Sequence, residues 1–343
     1  MPKCKNGHEM NLASTCSICG QPIDYYASLY ELTHFPKIQY KVNDIVIYVG
    51  VTPYRISNTL LIDLNDEEKI EQNKIVLKLI SGGTWQDYLD QYKEKLARIF
   101  DVLGVNETKR KLIILNASHP LSPLVISLIN SNAIFLIILP EENEPLIYLD
   151  TAYNTVFEAS KKKEPIILVT KGIVEKFRAF YPDTGISYGI EGFLKIFKYL
   201  YDNYDRLYNF FKVSLKFNSQ PFFPFSYIIG GTMLVFKDIQ SVFSVIDVQK
   251  TIEFDENASN TLLLVNISPK ELKEQIEKQY RTYISSRFRD IIYNDIIFIE
   301  SPNSRVTNDI FNLIMFYGVS SIKGLEYLSK SHELFTKRVT QNA

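Results

Sequence analysis

Short runs of aliphatic and β-branched residues alternate with longer amphipathic stretches in this chain, and that alternation constrains its fold more than any other feature. DIVIYV at 44–49, KLIILN at 111–116 and FLIIL at 135–139 have the length and composition of buried strands. Between the first two, residues 86–103 place apolar side chains at helical spacing with charges opposite. The alternation predicts a mostly parallel sheet that is covered by helices on both faces.

The second half of the chain has a different order of elements. Residues 190–211 carry apolar side chains at helical spacing without proline, which predicts one long helix with a buried face. Pro221, Pro224 and the pair Gly230–Gly231 then interrupt the chain. The elements predicted beyond them are strands at 261–267, 295–299 and 310–316 and a helix from 268 or 269 to about 288. This order predicts a second α/β unit with a mixed sheet and helices on one side.

Composition and charge exclude several classes of protein. The 343 residues are 46% hydrophobic and 22% charged, which is globular, and the length predicts a large two-domain body with a small appendage. The net charge of -1 indicates no overall attraction to nucleic acid or to anionic membranes. The most apolar run, 133–140, is far shorter than a membrane span of roughly 20 residues, and the N-terminus lacks the apolar core of a signal peptide. We therefore expect a cytoplasmic protein.

All three cysteines lie near the N-terminus and, with one histidine, have the spacing C-x3-H-x7-C-x2-C: Cys4, His8, Cys16 and Cys19. Four thiolate and imidazole ligands suit tetrahedral Zn²⁺, and an odd number of cysteines fits a metal site better than disulfides. We predict a structural zinc site without an open position for catalysis. The alternative is a C-x-x-C redox pair with Cys4 and His8 uninvolved; such a pair would be expected beside a βαβ unit.

The order of elements from about residue 44 to 328 resembles the tubulin/FtsZ superfamily, most closely its archaeal CetZ-like branch. TLLLVNISPKELKEQIEKQYRTYISSRF, DIIFIE and IFNLIMFYGVSSIKGLEYL resemble that family's C-terminal domain. KLIILNASHPLSPLVISLINSNAIFLIILP is similar to its strand, phosphate loop, helix and strand. GGTMLVFKDIQSVFSVIDV is similar to the loop and helix after its long central helix.

The resemblance implies an α/β fold with a tubulin/FtsZ-like two-domain body: a Rossmann-like N-terminal domain with a parallel sheet, a long central helix and an α/β C-terminal domain. It divides the chain into a zinc ribbon (1–23), a linker (24–43), a nucleotide-binding-like domain (44–189), the central helix (190–212), the C-terminal domain (213–330) and a tail (331–343).

The family's phosphate-binding loops are degenerate in this sequence. In the family, a loop of the form G-G-G-T-G-[ST]-G wraps phosphates through backbone N–H groups, which glycine permits. Here residues 116–123 read NASHPLSP, without glycine and with two prolines that remove donors. The loop after 44–49 keeps only Gly50, and the family's two catalytic acids are reduced to Asp238. We therefore expect a pseudo-GTPase rather than an efficient enzyme.

Several remnants could still contact GTP or GDP under the resemblance: Gly50, Gly82, Gly83, Asn116, Ser118, Ser122, Asn154, Tyr188 and Glu191. Each also has a structural interpretation: glycines in turns, serines that cap the helix at Pro123, an asparagine in a polar turn, and half-buried packing of the tyrosine. For His119 we expect a structural role or a weak polar contact, because the sequence offers no obvious carboxylate to orient it. Trp85 is expected to be a packing anchor.

Three functions remain open from the sequence. The first is a cytoskeletal protein that binds GTP and assembles with itself. The second is a pseudo-GTPase scaffold that acts through self-association or protein partners, with the zinc ribbon as a docking module. The third is a zinc-ribbon factor associated with nucleic acid, although Lys3 and Lys5 are the only basic residues of the ribbon. The degenerate loops favour the scaffold.

Overall fold

The computed structural model describes most of the chain from Asp44 onward. The described residues are 44–51, 53, 58–71, 73–175, 178–181, 185–188, 194, 200–217, 222–231, 259–268, 270–288, 290–300, 311–319 and 323–342. The chain divides into two units, Met1–Val42 and Asn43–Ala343, and every described residue belongs to the second. The predicted zinc ligands Cys4, His8, Cys16 and Cys19, together with Glu191 and Asp238, lie outside the described residues.

Eleven strands of the described residues form one sheet, and two more form a separate antiparallel pair. The strands are β1 (Asp44–Val49), β2 (Thr59–Asn65), β3 (Lys69–Glu71), β4 (Lys74–Lys78), β5 (Arg110–Asn116), β6 (Ala133–Leu139), β7 (Ile166–Thr170), β8 (Arg178–Tyr181), β9 (Gly185–Tyr188), β10 (Phe222–Gly231), β11 (Ser259–Ser268), β12 (Tyr293–Glu300) and β13 (Phe311–Val319). The order in the large sheet is β12-β11-β13-β10-β7-β6-β5-β1-β2-β4-β3, and the pair is β8-β9.

The helices with described bounds are α1 (Trp85–Val102), α2 (Ser122–Leu128), α3 (Leu146–Lys161), α4 (Lys171–Glu175), α5 (Tyr204–Ser214), α6 (Lys273–Arg287) and α7 (Glu326–Asn342). The helix predicted at 86–103 is observed as α1, and it buries the apolar face that the spacing indicated. At its start the Asp87 carboxylate accepts a hydrogen bond from the Thr84 backbone N–H (2.6 Å), as in a capping box.

The N-terminal part of the sheet is doubly wound. From β1 the chain adds β2 and then β4 on one side, with parallel pairing throughout. It then returns to the other side of β1 and adds β5, β6 and β7, again in parallel. The strand order therefore reverses between β1 and β5, and in sheets of this kind a crevice opens there at the carboxyl ends of the strands.

β10 joins this parallel part to the C-terminal strands. It pairs in parallel with β7 over Phe222–Pro224 and antiparallel with β13 from Phe225 onward. β11 pairs antiparallel with β13 and parallel with β12, so this part of the sheet is mixed, as predicted.

Pro224 and Gly230–Gly231 were predicted to interrupt the chain, whereas β10 continues through both to Gly231. The loop and helix predicted by resemblance beyond Gly231 lie outside the described residues. Proline lacks an N–H, but the missing donor is tolerated where a strand is paired on one side only. Among the described strands, Pro224 pairs only with β7.

Two other boundaries differ from the sequence prediction. The central helix was predicted at 190–212, whereas the described helical residues there are 194, 200–202 and 204–214, with a turn at Asn203. The tail predicted from 331 is helical as far as Asn342, because α7 runs from Glu326.

α5 packs on both parts of the sheet. Tyr204, Leu207, Phe210 and Phe211 are buried in a core that includes residues of β1, β5, β6 and β7 and also residues of β11, β12 and β13. The Phe211 ring meets Phe316 of β13 edge-on, with 5.4 Å between centroids. The single helix thereby ties the parallel strands to the mixed strands, since burial of such rings is strongly favourable.

Candidate functional site

Four of the predicted site residues lie at the strand-order reversal between β1 and β5. Gly50 follows β1 directly, Asn116 is the last residue of β5, Ser118 lies in the loop after it, and Ser122 begins α2. Because the carboxyl ends of β1 and β5 are adjacent in the sheet, two chain segments that are far apart in sequence meet at this edge. This crevice is the candidate functional site.

The backbone donors of the loop from 117 to 122 all have acceptors within the protein. The N–H groups of Ala117, Ser118, His119 and Ser122 donate to the Ile138 carbonyl (2.8 Å), the Asn116 side chain (3.0 Å), the Asn116 carbonyl (3.1 Å) and the His119 carbonyl (2.8 Å). The Leu121 N–H points to Nδ1 of His119 at 3.4 Å, and Pro120 has no N–H. The loop therefore offers no free backbone donor for a phosphate, whereas an anion site of this kind depends on such donors.

The hydroxyl groups of the loop also turn inward. The Ser122 hydroxyl donates to the Asn116 carbonyl (2.6 Å), so it does not cap α2, contrary to one interpretation of the sequence. Thr155 of α3 donates to the Ala117 carbonyl (2.8 Å). The Ser118 hydroxyl is buried, and no partner for it is found among the described residues. These contacts fix the loop against β5 and α3.

The imidazole of His119 fills the space between the two loops. Gly50 has a φ of 60°, and a Cβ at this position would lie 2.5 Å from Cδ2 of His119. Nδ1 of His119 faces the Leu121 N–H, and Nε2 lies 3.4 Å from Oδ1 of Asp63. This geometry assigns the ring proton to Nε2, which points to the carboxylate. The side chain of His119 is only 12% exposed, so it is a packed part of the crevice.

Asp63 is the carboxylate that sequence reasoning missed. The hydrogen bond from His119 lowers the pKa of Asp63 below its ordinary value, and partial burial opposes that effect. Asp63 lies in β2, which neighbours β1, so strand order rather than any local motif brings it to His119. The expected structural or polar role of His119 is in agreement with this contact.

Gly82 and Gly83 lie in a turn before α1. The Gly83 N–H donates to the Ile80 carbonyl (3.0 Å), and Gly82 has a φ of 70° with no heavy atom within 4 Å of a Cβ built there. The turn interpretation accounts for both glycines. Nothing in this turn contacts the loop at 116–122 among the described hydrogen bonds.

Asn154 and Tyr188 are not brought to the crevice by any described contact. The Asn154 side-chain amide donates to the carbonyl of Asp150 one turn earlier in α3 (2.8 Å). Its neighbour Thr155 is the residue of α3 that reaches the loop. Tyr188 is the last residue of β9, which pairs with β8 outside the large sheet.

The chemistry available at the crevice is limited. The described part of the loop offers a triphosphate no free backbone donor, because its N–H groups are bonded within the protein, and the His119 ring lies against Gly50. Within the described ranges, no group of three or more His, Cys, Asp or Glu side chains could hold a metal ion. In the same ranges, no helix is long and apolar enough to cross a membrane.

Comparison with known proteins shows a likeness of structure. No protein-family model and no curated protein matches the chain. Solved structures do match: CetZ from Methanosaeta thermophila strain DSM 6194 has a TM-score of 0.59 and 12% identity over 87% of this chain and 93% of that chain. The GTPγS-form protofilament of TubZ from Bacillus thuringiensis serovar israelensis has a TM-score of 0.53 and 12% identity over 91% and 96%.

An empty FtsZ dimer from M. jannaschii has a TM-score of 0.53 and 11% identity over 86% of this chain and 92% of that chain. The three likenesses cover nearly the whole of each solved chain, and they confirm the predicted tubulin/FtsZ fold. At such low sequence identity, the structural similarity establishes the fold but does not establish the chemistry of the site.

Proposed function

We propose that this protein is an assembly scaffold on the tubulin/FtsZ fold that works through copies of itself or other protein partners, without hydrolysing GTP. The observation that carries the proposal is the internal bonding of every backbone donor from 117 to 122. Two of the similar solved structures are a TubZ protofilament and an FtsZ dimer, which supports self-association as the retained property. Head-to-tail contacts between copies need complementary surfaces and no nucleotide chemistry.

Nucleotide is expected to change neither the stability nor the association of the protein. A ligand at 100 times its Kd would stabilise the native state by about 2.7 kcal/mol, so thermal unfolding with millimolar GTP or GTPγS should detect even weak binding. We expect no rise in melting temperature beyond that with ATP, the control for ionic effects. Light scattering and pelleting should rise with protein concentration equally with and without GTP.

Each other result selects a different function. A GTP-specific rise in melting temperature would overturn the pseudo-GTPase and favour a GTP-binding filament protein. Light scattering that rises with protein concentration only when GTP is present would also favour a GTP-binding filament protein. An unchanged melting temperature together with a monomer at all concentrations would remove self-association and leave a scaffold for other proteins.

The N-terminal cysteines and histidine are proposed to hold one structural Zn²⁺, with the ribbon acting as a docking module. Metal analysis of the purified full chain should give one zinc per chain. Cys16→Ser should abolish zinc retention because a tetrahedral site then loses a thiolate. His34→Ala is the control, since His34 is outside the motif, and it should retain zinc. A zinc-free protein with a Cys16–Cys19 disulfide would instead indicate the redox pair.

A further inference from the structure

Three helices meet at one buried carboxylate, that of Asp150. This residue of α3 is 2% exposed. Its Oδ1 lies 2.7 Å from Nδ1 of His332 on α7, and the indole of Trp85, the first residue of α1, also bonds to it. A buried carboxylate is costly unless donors compensate it, so these two contacts hold α1 and α7 to α3.

α7 packs on α3, and its buried contacts lie in its N-terminal part. Near its start, the Tyr327 hydroxyl donates to the Pro140 carbonyl (2.8 Å), and Leu328 is buried. The His332 ring stacks on Tyr153 with 4.2 Å between centroids and 12° between planes. Residues 336–341 are all exposed. Among the described residues, Phe335 is the last partly buried residue of α7, and the Asp150–His332 contact is its last described polar attachment to another element.

The charge state of Asp150 affects this attachment. Burial raises the pKa of Asp150, and the hydrogen bonds from His332 and Trp85 oppose that rise without cancelling it. The ring of Tyr153 covers the imidazole of His332. The glutamates at 141, 142 and 144 face Tyr327 at the other end of the docked segment.

The sign of the pH effect follows from linkage. A carboxyl with a raised pKa in the docked state binds its proton more tightly there than when α7 has moved away and water reaches it. The Asp150 carboxyl taken alone therefore favours docking at low pH, and this contribution weakens as the pH rises through its pKa. The His332 N–H offsets this weakening, because it bonds to the ionised carboxylate.

We propose that α7 is a releasable latch on α3, and that the Asp150–His332 contact is its lock. Release uncovers Asp150 and Tyr153 on α3. It also removes one partner from the carboxylate that holds Trp85, so the start of α1 and the Gly82–Gly83 turn before it would respond to the state of α7. The latch does not depend on the proposed loss of nucleotide binding.

The test is amide hydrogen exchange of the full chain, expressed as protection factors for each segment. His332→Phe keeps a flat ring over Tyr153 and removes the N–H. At about pH 7.5 we expect protection of α7 to fall roughly tenfold or more, the loss typical of a bond to a charged group, while β5 and β6 keep theirs. Lys337→Ala, on the exposed part of α7, is the control and should change nothing.

A second variant separates the charge from the packing. In Asp150→Asn/His332→Phe the buried charge is gone, so α7 protection should return toward the wild-type value. Trp85 is the only tryptophan of the chain, so its emission gives an independent readout at the same carboxylate. The latch is refuted if His332→Phe leaves α7 protected, or if β5 and β6 lose protection equally.

Discussion

Gly50→Ala is expected to lower the free energy of unfolding by roughly 2–4 kcal/mol, combining the penalty for a left-handed backbone with an overpacked contact. The φ of Gly50 is 60°, and the new Cβ would lie 2.5 Å from Cδ2 of His119. The ring cannot move away freely because Asp63 and the Leu121 N–H hold its two nitrogens. Urea unfolding of the variant and the wild type measures the difference.

Gly82→Ala is the matched control for the steric part. Gly82 has a similar φ of 70°, yet no heavy atom lies within 4 Å of its added Cβ. Gly82→Ala should lower the free energy of unfolding by only about 1–2 kcal/mol, which is the penalty for the left-handed backbone alone. The double variant Gly50→Ala/His119→Ala should recover part of the stability that Gly50→Ala loses, because the ring that meets the new Cβ is then absent. Equal losses at the two glycines would show that the His119 ring does not fill the crevice.

Glu164→Ala is expected to destabilise the protein by about 2–5 kcal/mol, because it removes a buried acceptor that several donors share. Glu164 is 4% exposed and accepts hydrogen bonds from the Tyr208 hydroxyl (2.8 Å) and the Asn132 N–H (3.2 Å). The Lys212 ammonium lies 3.5 Å away. Tyr208 and Lys212 belong to α5, so the change should weaken the attachment of this helix to the edge where β6 and β7 begin. Thermal or urea unfolding reports the loss.

The buried ammonium of Lys111 adds to this expected loss. Lys111 is 1% exposed, and its Nζ donates to the carbonyls of Thr108 (2.6 Å) and Ser131 (2.9 Å). Burial lowers the pKa of Lys111, and the charge of Glu164 opposes this shift. Glu158→Ala is the control, because Glu158 forms a surface pair with Lys161 (2.6 Å) whose removal should cost less than about 1 kcal/mol. A similar loss in both variants would argue against a shared buried network.

The sequence predicted best the elements whose signal is local. The apolar runs at 44–49, 111–116 and 135–139 were predicted as buried strands, and the structure has strands there. Strands of a parallel sheet that is covered on both faces have few polar side chains, so a short continuous apolar run is typical of them. The helix at 86–103 was equally clear from the spacing of its apolar residues. β10 was missed because proline and glycine are local signals for a break, while pairing with β7 and β13 is a long-range gain.

The partners of the two described histidines could not be read from the sequence. His119 meets Asp63 only because β2 lies beside β1 and β1 beside β5. His332 meets Asp150 only because α7 returns to α3, 182 residues earlier in the chain. No periodicity or spacing encodes either contact, since each depends on the packing of elements that are distant in sequence.

The sequence by itself determined the alternation of strands and helices and the absence of glycine from the loop at 116–123, because residue composition and period act within a few residues. Only the tertiary structure decided that the donors of this loop are bonded internally, that His119 lies against Gly50, and that α7 is held at Asp150. The physical reason is that a hydrogen bond or a close contact needs two groups at one point in space, and strand order and helix packing bring them there.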